Sequence, residues 1–164
     1  MANTYTLISS VTVGSGGAAN IIFSSIPQTY TDLVIKLSGR GSSGGESNIT
    51  VVFNSGSTYA GKRLYSDGST PSSDSTSQWG GFSNASTFTA STFSSNEIYI
   101  PNYTSSNAKS WSVDSANETN ATNVLMGIGG QLWNGTGAIT SITLTPDNVF
   151  AQYSTAYLYG ISNA

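Results

Sequence analysis

The chain has 164 residues with no cysteine and no histidine, eight acidic and five basic side chains for a net charge of −3, and only 8% charged residues, against roughly a quarter in an average soluble domain. This excludes a disulfide framework, the Ser-His-Asp and Cys-His forms of nucleophilic catalysis, and the usual zinc ligand sets. The scattered cations Lys36, Arg40, Lys62, Arg63 and Lys109 give no electrostatic footprint for nucleic acid, and no apolar run is long enough to cross a membrane as a helix.

The length suits one domain over residues 1–164. Ser, Thr and Asn supply roughly two fifths of the residues, and with Gly they favour turns and strand edges over helix interiors. No window carries a helical period. Met1 is followed by ANTYTL rather than a basic segment and an apolar run, so the expectation is synthesis in a cytoplasm without secretion.

In chain order, Thr4–Val13 reads as a first strand with Tyr5, Leu7, Val11 and Val13 on one face, ended by the glycines of 14–17, and Asn20–Phe23 as a short second one. The stretch SSIPQTYTDLVIKL (Ser24–Leu37) is the expected centre of the fold. Pro27 sets a corner, because it cannot donate to a ladder, and the strand that follows turns Leu33, Ile35 and Leu37 to the core and Asp32, Val34, Lys36 and Ser38 away. Ile49, Val51 and Phe53 continue in step after a glycine-rich turn, as an antiparallel neighbour.

Beyond Ser55 the pattern weakens, with Tyr59, Leu64 and Tyr65 as the large apolar residues, and Asp67–Ser77 reads as an exposed loop. Trp79–Phe93 is a polar stretch punctuated by aromatics, and Asn96–Ile100 is a clearer strand stopped by Pro101. Trp111 and Val113 mark the next, and Ala121–Trp133 contains Gly127, Gly129 and Gly130, a sign of a bulge or of a close backbone approach. Ile139–Thr145 and Gln152–Ile161 close the chain, the last expected to bury Tyr157 and Tyr159. About ten short strands at this spacing predict an all-β fold, an antiparallel jelly-roll-like β-sandwich with four or five strands in each sheet.

Chemistry has little to work with. Of the acids, most fall beside Gly and Ser in turns, where carboxylates are solvated, and Asp67 and Asp74 do not have the spacing of a calcium loop. Carboxylate-dependent glycan hydrolysis stays formally open, since it needs only two acids. No catalytic residue, metal site or cofactor is expected. The Asn-X-Ser/Thr triplets at Asn48, Asn84, Asn102, Asn117, Asn120 and Asn134 follow from the composition. Trp79, Trp111, Trp133 and the nine tyrosines could form a stacking platform for sugar, although strand aromatics more often belong to cores or subunit interfaces.

Taken together, SSIPQTYTDLVIKLSGR, VVFN with STY and RLYSDGS, IYIPNY, and AITSITLTPDNVFAQYSTAYLYGI resemble β-rich virion structural proteins of tailed bacteriophages over most of the chain. The resemblance implies an assembly role without catalysis: a head decoration (cement) protein that binds the major capsid protein non-covalently on the outer capsid surface and stabilises the head. The alternative is a tail-fibre or receptor-binding module recognising host-surface glycans. A symmetric homo-oligomer such as a trimer would supply avidity where each contact is weak. The strand Ala2–Val13 is the candidate contact with other subunits or the capsid, centred on Ala2, Asn3, Thr4, Tyr5 and Thr6, with neither nucleic acid nor membrane among the partners.

Overall fold

The computed structural model describes residues 4–45, 47–120 and 123–162. Twelve strands form among them: β1 (Tyr5–Thr12), β2 (Ile21–Phe23), β3 (Asp32–Ser38), β4 (Ser47–Phe53), β5 (Tyr59–Ser66), β6 (Ser72–Asp74), β7 (Trp79–Ser83), β8 (Ser95–Ile100), β9 (Lys109–Thr119), β10 (Asn123–Trp133), β11 (Ile142–Pro146) and β12 (Thr155–Ile161). They make two antiparallel sheets, one of eight strands in the order β1-β12-β3-β8-β9-β10-β5-β6 and one of four in the order β2-β11-β4-β7.

Four nested couples generate this order. The pairs β1 with β12 and β3 with β8 lie in the large sheet, and β2 with β11 and β4 with β7 lie in the small one. A long antiparallel ribbon rolled so that its couples alternate between two sheets is the jelly roll. Onto it the chain adds a wing, β9-β10-β5-β6, which extends the large sheet beyond β8. The expected sandwich is therefore present with unequal sheets, eight and four strands rather than four or five in each.

One core fills the space between the sheets. Leu33, Ile35 and Leu37 of β3, Ile98 and Ile100 of β8, and Leu158 of β12 meet Ile49, Val51 and Phe53 of β4 and Ile142 and Leu144 of β11 in a single buried cluster. The wing projects past this zone, and aromatic side chains cover its inner face. Phe53 reaches from the small sheet to Trp111 and Trp133, with ring centroids 4.9 and 5.8 Å away, and Tyr59 packs beside both tryptophans.

Further along the wing, Trp79 and Phe82 of β7 lie directly on the backbone of β10. A Cβ at Gly127 would stand 2.8 Å from the Trp79 ring, and one at Gly129 would stand 2.6 Å from it. The strand is unbroken here, in continuous register with β9 and with β5 from Met126 to Trp133. These two glycines therefore mark a close approach and not a bulge. Polar bonds fix β7 in place: the Phe82 amide donates to Ser115 Oγ at 2.9 Å, and the Asn96 amide group donates to Phe82 O at 3.0 Å.

Three expectations change phase. Residue pairing along β1 shifts between Leu7 and Ser9, so Tyr5 and Leu7 point outward while Val11 and Val13 point to the core; the bulge splits what the sequence offers as one apolar face. In β12, Ala156, Leu158, Gly160 and Ile161 are the buried residues, and Tyr157 is exposed with Tyr159 half-buried. Gly160 faces inward because the Tyr30 ring occupies the place of a side chain: a Cβ there would lie 2.3 Å from Tyr30. Val34, expected to face solvent, is buried between its cross-strand neighbours Tyr159 and Tyr99. The segment expected as the loop Asp67–Ser77 contributes the short edge strand β6, held to β5 by a bidentate Arg63–Asp74 pair at 2.9 Å.

Replacing Ile35 by Ala is expected to cost about 2–5 kcal/mol, because the site is completely enclosed and cannot collapse fully. Gly129→Val should cost about 1–3 kcal/mol by forcing Trp79 from its seat. Urea denaturation of both variants checks these values, and a wild-type midpoint for either places that residue outside the tightly packed interior.

Candidate functional site

Among the described residues, most of the exposed large apolar side chains lie on the outer face of the eight-stranded sheet. One register row crosses it from edge to edge: Ser10, Tyr157, Lys36, Glu97, Asp114, Ile128, Leu64 and Ser73 are successive cross-strand partners. The adjacent row runs Leu7, Tyr159, Val34, Tyr99, Ser112, Gly130 and Lys62. Two surfaces emerge at the ends of these rows.

The first is the β1 edge. β1 has β12 as its sole strand neighbour, so its other side presents unpaired backbone groups among the described residues. Beside that edge Tyr5 is 55% exposed and Leu7 51% exposed, and the Tyr5 ring meets Tyr159 edge-on at 6.3 Å. Tyr157 extends the apolar surface inward along the sheet. Of the residues singled out from the sequence, Ala2 and Asn3 lie outside the described residues, Thr4 is exposed just ahead of β1, Tyr5 points outward, and Thr6 is half-buried opposite Gly160. Leu7, one residue beyond that group, belongs to the surface, and its outward direction depends on a bulge for which the alternation gives no signal.

The second is a groove on the wing. It arises because the second row drops to small residues, Ser112 and Gly130, between the larger Tyr99 and Lys62. One section has a volume of about 770 Å³ between Tyr99, Asp114, Ile128, Leu64 and Lys62, and an adjoining one of about 930 Å³ runs past Gly130 towards Leu132 and Pro101. Leu64 is 57% exposed, and Ile128 and Leu132 are exposed beside it. Tyr99 is fixed by Asp32: its hydroxyl donates to Asp32 Oδ2 at 2.9 Å, while the Asn102 amide donates to the other oxygen at 2.8 Å. The hydrogen bond to Asp32, then desolvation and the nearby negative charge, push the Tyr99 phenol above its ordinary value.

The tryptophans are not a platform. Trp79, Trp111 and Trp133 are 2%, 2% and 6% exposed and belong to the core. Nor do the cations form a patch. Arg40 donates to the backbone carbonyls of Ser86, Phe88, Thr89 and Thr92, closing the loop after β7 around its guanidinium. Lys109 is buried and donates to the carbonyls of Ser105, Asn107 and Gly137 at 2.6–2.7 Å, and desolvation lowers its pKa. Lys36 pairs with Glu97, Lys62 bonds Ser75, and Arg63 pairs with Asp74.

Glu97 and Asp114 are direct cross-strand partners, an arrangement in which like charges repel. Lys36 offsets this by engaging Glu97. Asp114 is exposed, so neither carboxyl occupies the dry apolar setting that makes a general acid. Among the described residues no group of three His, Cys, Asp or Glu side chains could hold a metal ion. Comparison with protein-family models, curated proteins and solved structures gives no match.

The Tyr99–Asp32 bond has a pH signature. A phenol pKa raised on folding contributes stability that is fully present below the ordinary value of 10.0 and is lost as pH rises through the folded value. In Asp32→Asn the Tyr99 titration, followed by tyrosine-selective NMR, should move down towards that ordinary value. An unmoved titration would mean that the bond does not hold the ring.

Proposed function

We propose that this chain is a virion structural protein of a tailed bacteriophage, a decoration protein that attaches non-covalently to the outer face of the capsid as a symmetric oligomer and reinforces the head. The observation that supports this reading best is the β1 edge, where Tyr5, Leu7 and Tyr157 leave apolar area in water beside a strand edge with no neighbour among the described residues. Such a surface gains free energy by being covered, through apolar burial and through backbone pairing along the edge. The resemblance of the sequence to phage virion proteins supplies the identity of the partner, the major capsid protein.

The composition fits this role. A protein that must last outside the cell benefits from a core without thiols to oxidise, and a surface rich in Ser, Thr and Asn suits wide, wet, hydrogen-bonded contacts. Weak attachment per subunit becomes firm when several subunits bind at once.

Leu7→Asp places a charge in the middle of the proposed contact without touching the core. It should lower occupancy on purified heads, or the mass of the free oligomer, by at least about tenfold in apparent affinity, equivalent to about 1.4 kcal/mol, while the thermal midpoint stays near wild type. Sedimentation and quantitative gel analysis of decorated heads measure both. Wild-type occupancy and wild-type mass together would remove the β1 edge from the contact.

A further inference from the structure

Gly130 is a residue the fold does not require. It sits in the interior of β10, paired on both sides, where glycine weakens a strand relative to a residue with a side chain. Its backbone is not in the left-handed region, and a Cβ built on it would meet nothing within 4 Å. Gly127 and Gly129 differ from it in that Trp79 lies on them. A strand glycine without an internal reason marks a place where something from outside approaches the backbone, and this one forms the floor of the wing groove.

The groove walls carry matching chemistry. Tyr99 offers a ring held in place by Asp32, and Ile128 and Leu64 offer aliphatic surface opposite it. Between them Ser112 and Asp114 point outward, and their side chains make no hydrogen bond within the described residues. The groove thus combines apolar walls with an uncommitted hydroxyl and an uncommitted carboxylate, within the volume range of small-molecule sites.

We infer that the wing groove is a saccharide-binding site, in which a sugar ring lies over Gly130 against Tyr99 and donates hydroxyl hydrogens to Asp114 and Ser112. Each wall selects this class. A purely apolar ligand would strip water from the Asp114 carboxylate without supplying a donor in its place, which is costly. Glu97 is paired with Lys36 and Asp74 with Arg63, so a polyanion would face Lys62 and the unpaired Asp114 carboxylate together and gain no net attraction. A pyranose presents C–H groups to an aromatic or aliphatic wall and hydroxyl donors to a carboxylate, so it satisfies both kinds of surface at once. The inference does not rest on the capsid reading: the groove runs from β8 onto the wing, and the β1 edge is at the opposite end of the same sheet.

The test is isotope-edited NMR titration of the full chain with maltotriose, cellotriose, chitotriose and galactotriose, each at millimolar concentration. The expected result is saturable shift changes at Gly130, Ser112 and Asp114 with at least one of them. Gly130→Phe puts its Cβ in open space and its ring over the floor of the groove, so it should keep or raise the thermal midpoint and weaken that titration by more than about tenfold. Asp114→Asn should weaken it less, and Leu7→Asp should leave it unchanged. The site is overturned if none of the four sugars shifts these resonances, or if a sugar binds Gly130→Phe as well as wild type. A change of oligomer mass in Gly130→Phe with no sugar bound would reassign the groove to contact between subunits and overturn the saccharide assignment.

Discussion

The contact between Trp79 and the bare backbone of Gly127 and Gly129 is what allows this jelly roll to be lopsided. A large sheet of eight strands faces a small one of four, and a sheet with one apolar face must bury it. The wing would be left open unless an element came down on it at less than the usual spacing between sheets. Two glycines at alternate positions let the indole of β7 sit against the strand itself, and Phe53, Trp111, Trp133 and Tyr59 close the neighbouring space with edge-on ring contacts. The wing is then rigid enough to display its other face. Consecutive glycines serve opposite sides of one strand: Gly129 admits Trp79 within, and Gly130 leaves the floor of the groove open without.

Charge follows the same economy. Arg40 and Lys109 are held mainly by backbone carbonyls, each tying together loop segments. Arg63 pairs with Asp74 at the wing's far edge and also lies over the rings of Tyr65, Trp79 and Phe82 at 4.7–5.5 Å. It thus fastens the last two strands to β7. With the cations committed in this way, the outer face offers exposed apolar groups, neutral polar groups and the Asp114 carboxylate, a chemistry that suits assembly contacts and sugars.

Much of the fold is legible in the sequence because strands buried on one face announce themselves by alternation. The core faces of β3, β4 and β11 and the corner at Pro27 are read directly from Leu33, Ile35, Leu37, Ile49, Val51, Phe53, Ile142 and Leu144. Alternation fails where the signal depends on a distant partner. The bulge in β1 leaves no mark in the local pattern, so Tyr5 and Leu7 look like continuations of Val11 and Val13. In β12 the large residues occupy the outward phase and the inward phase includes Gly160, whose space belongs to Tyr30 from elsewhere in the chain. β5 has polar and small residues on both faces because Arg63 and Gly61 point inward towards partners that local sequence cannot name. The groove was visible only as the glycine run of β10; which glycine packs inside and which lies open requires the register.

The two proposals put attachment and recognition at opposite ends of one outer face, attachment at the β1 edge and recognition at the wing. A cryo-electron microscopy map of phage heads bearing this protein tests that arrangement most directly. It is expected to place the β1–β12 end of the large sheet against the capsid surface, with the wing and Gly130 turned away from the shell. A map in which the wing is buried against the capsid while Tyr5 and Leu7 face solvent, or in which the heads carry no density for this sandwich, would contradict it.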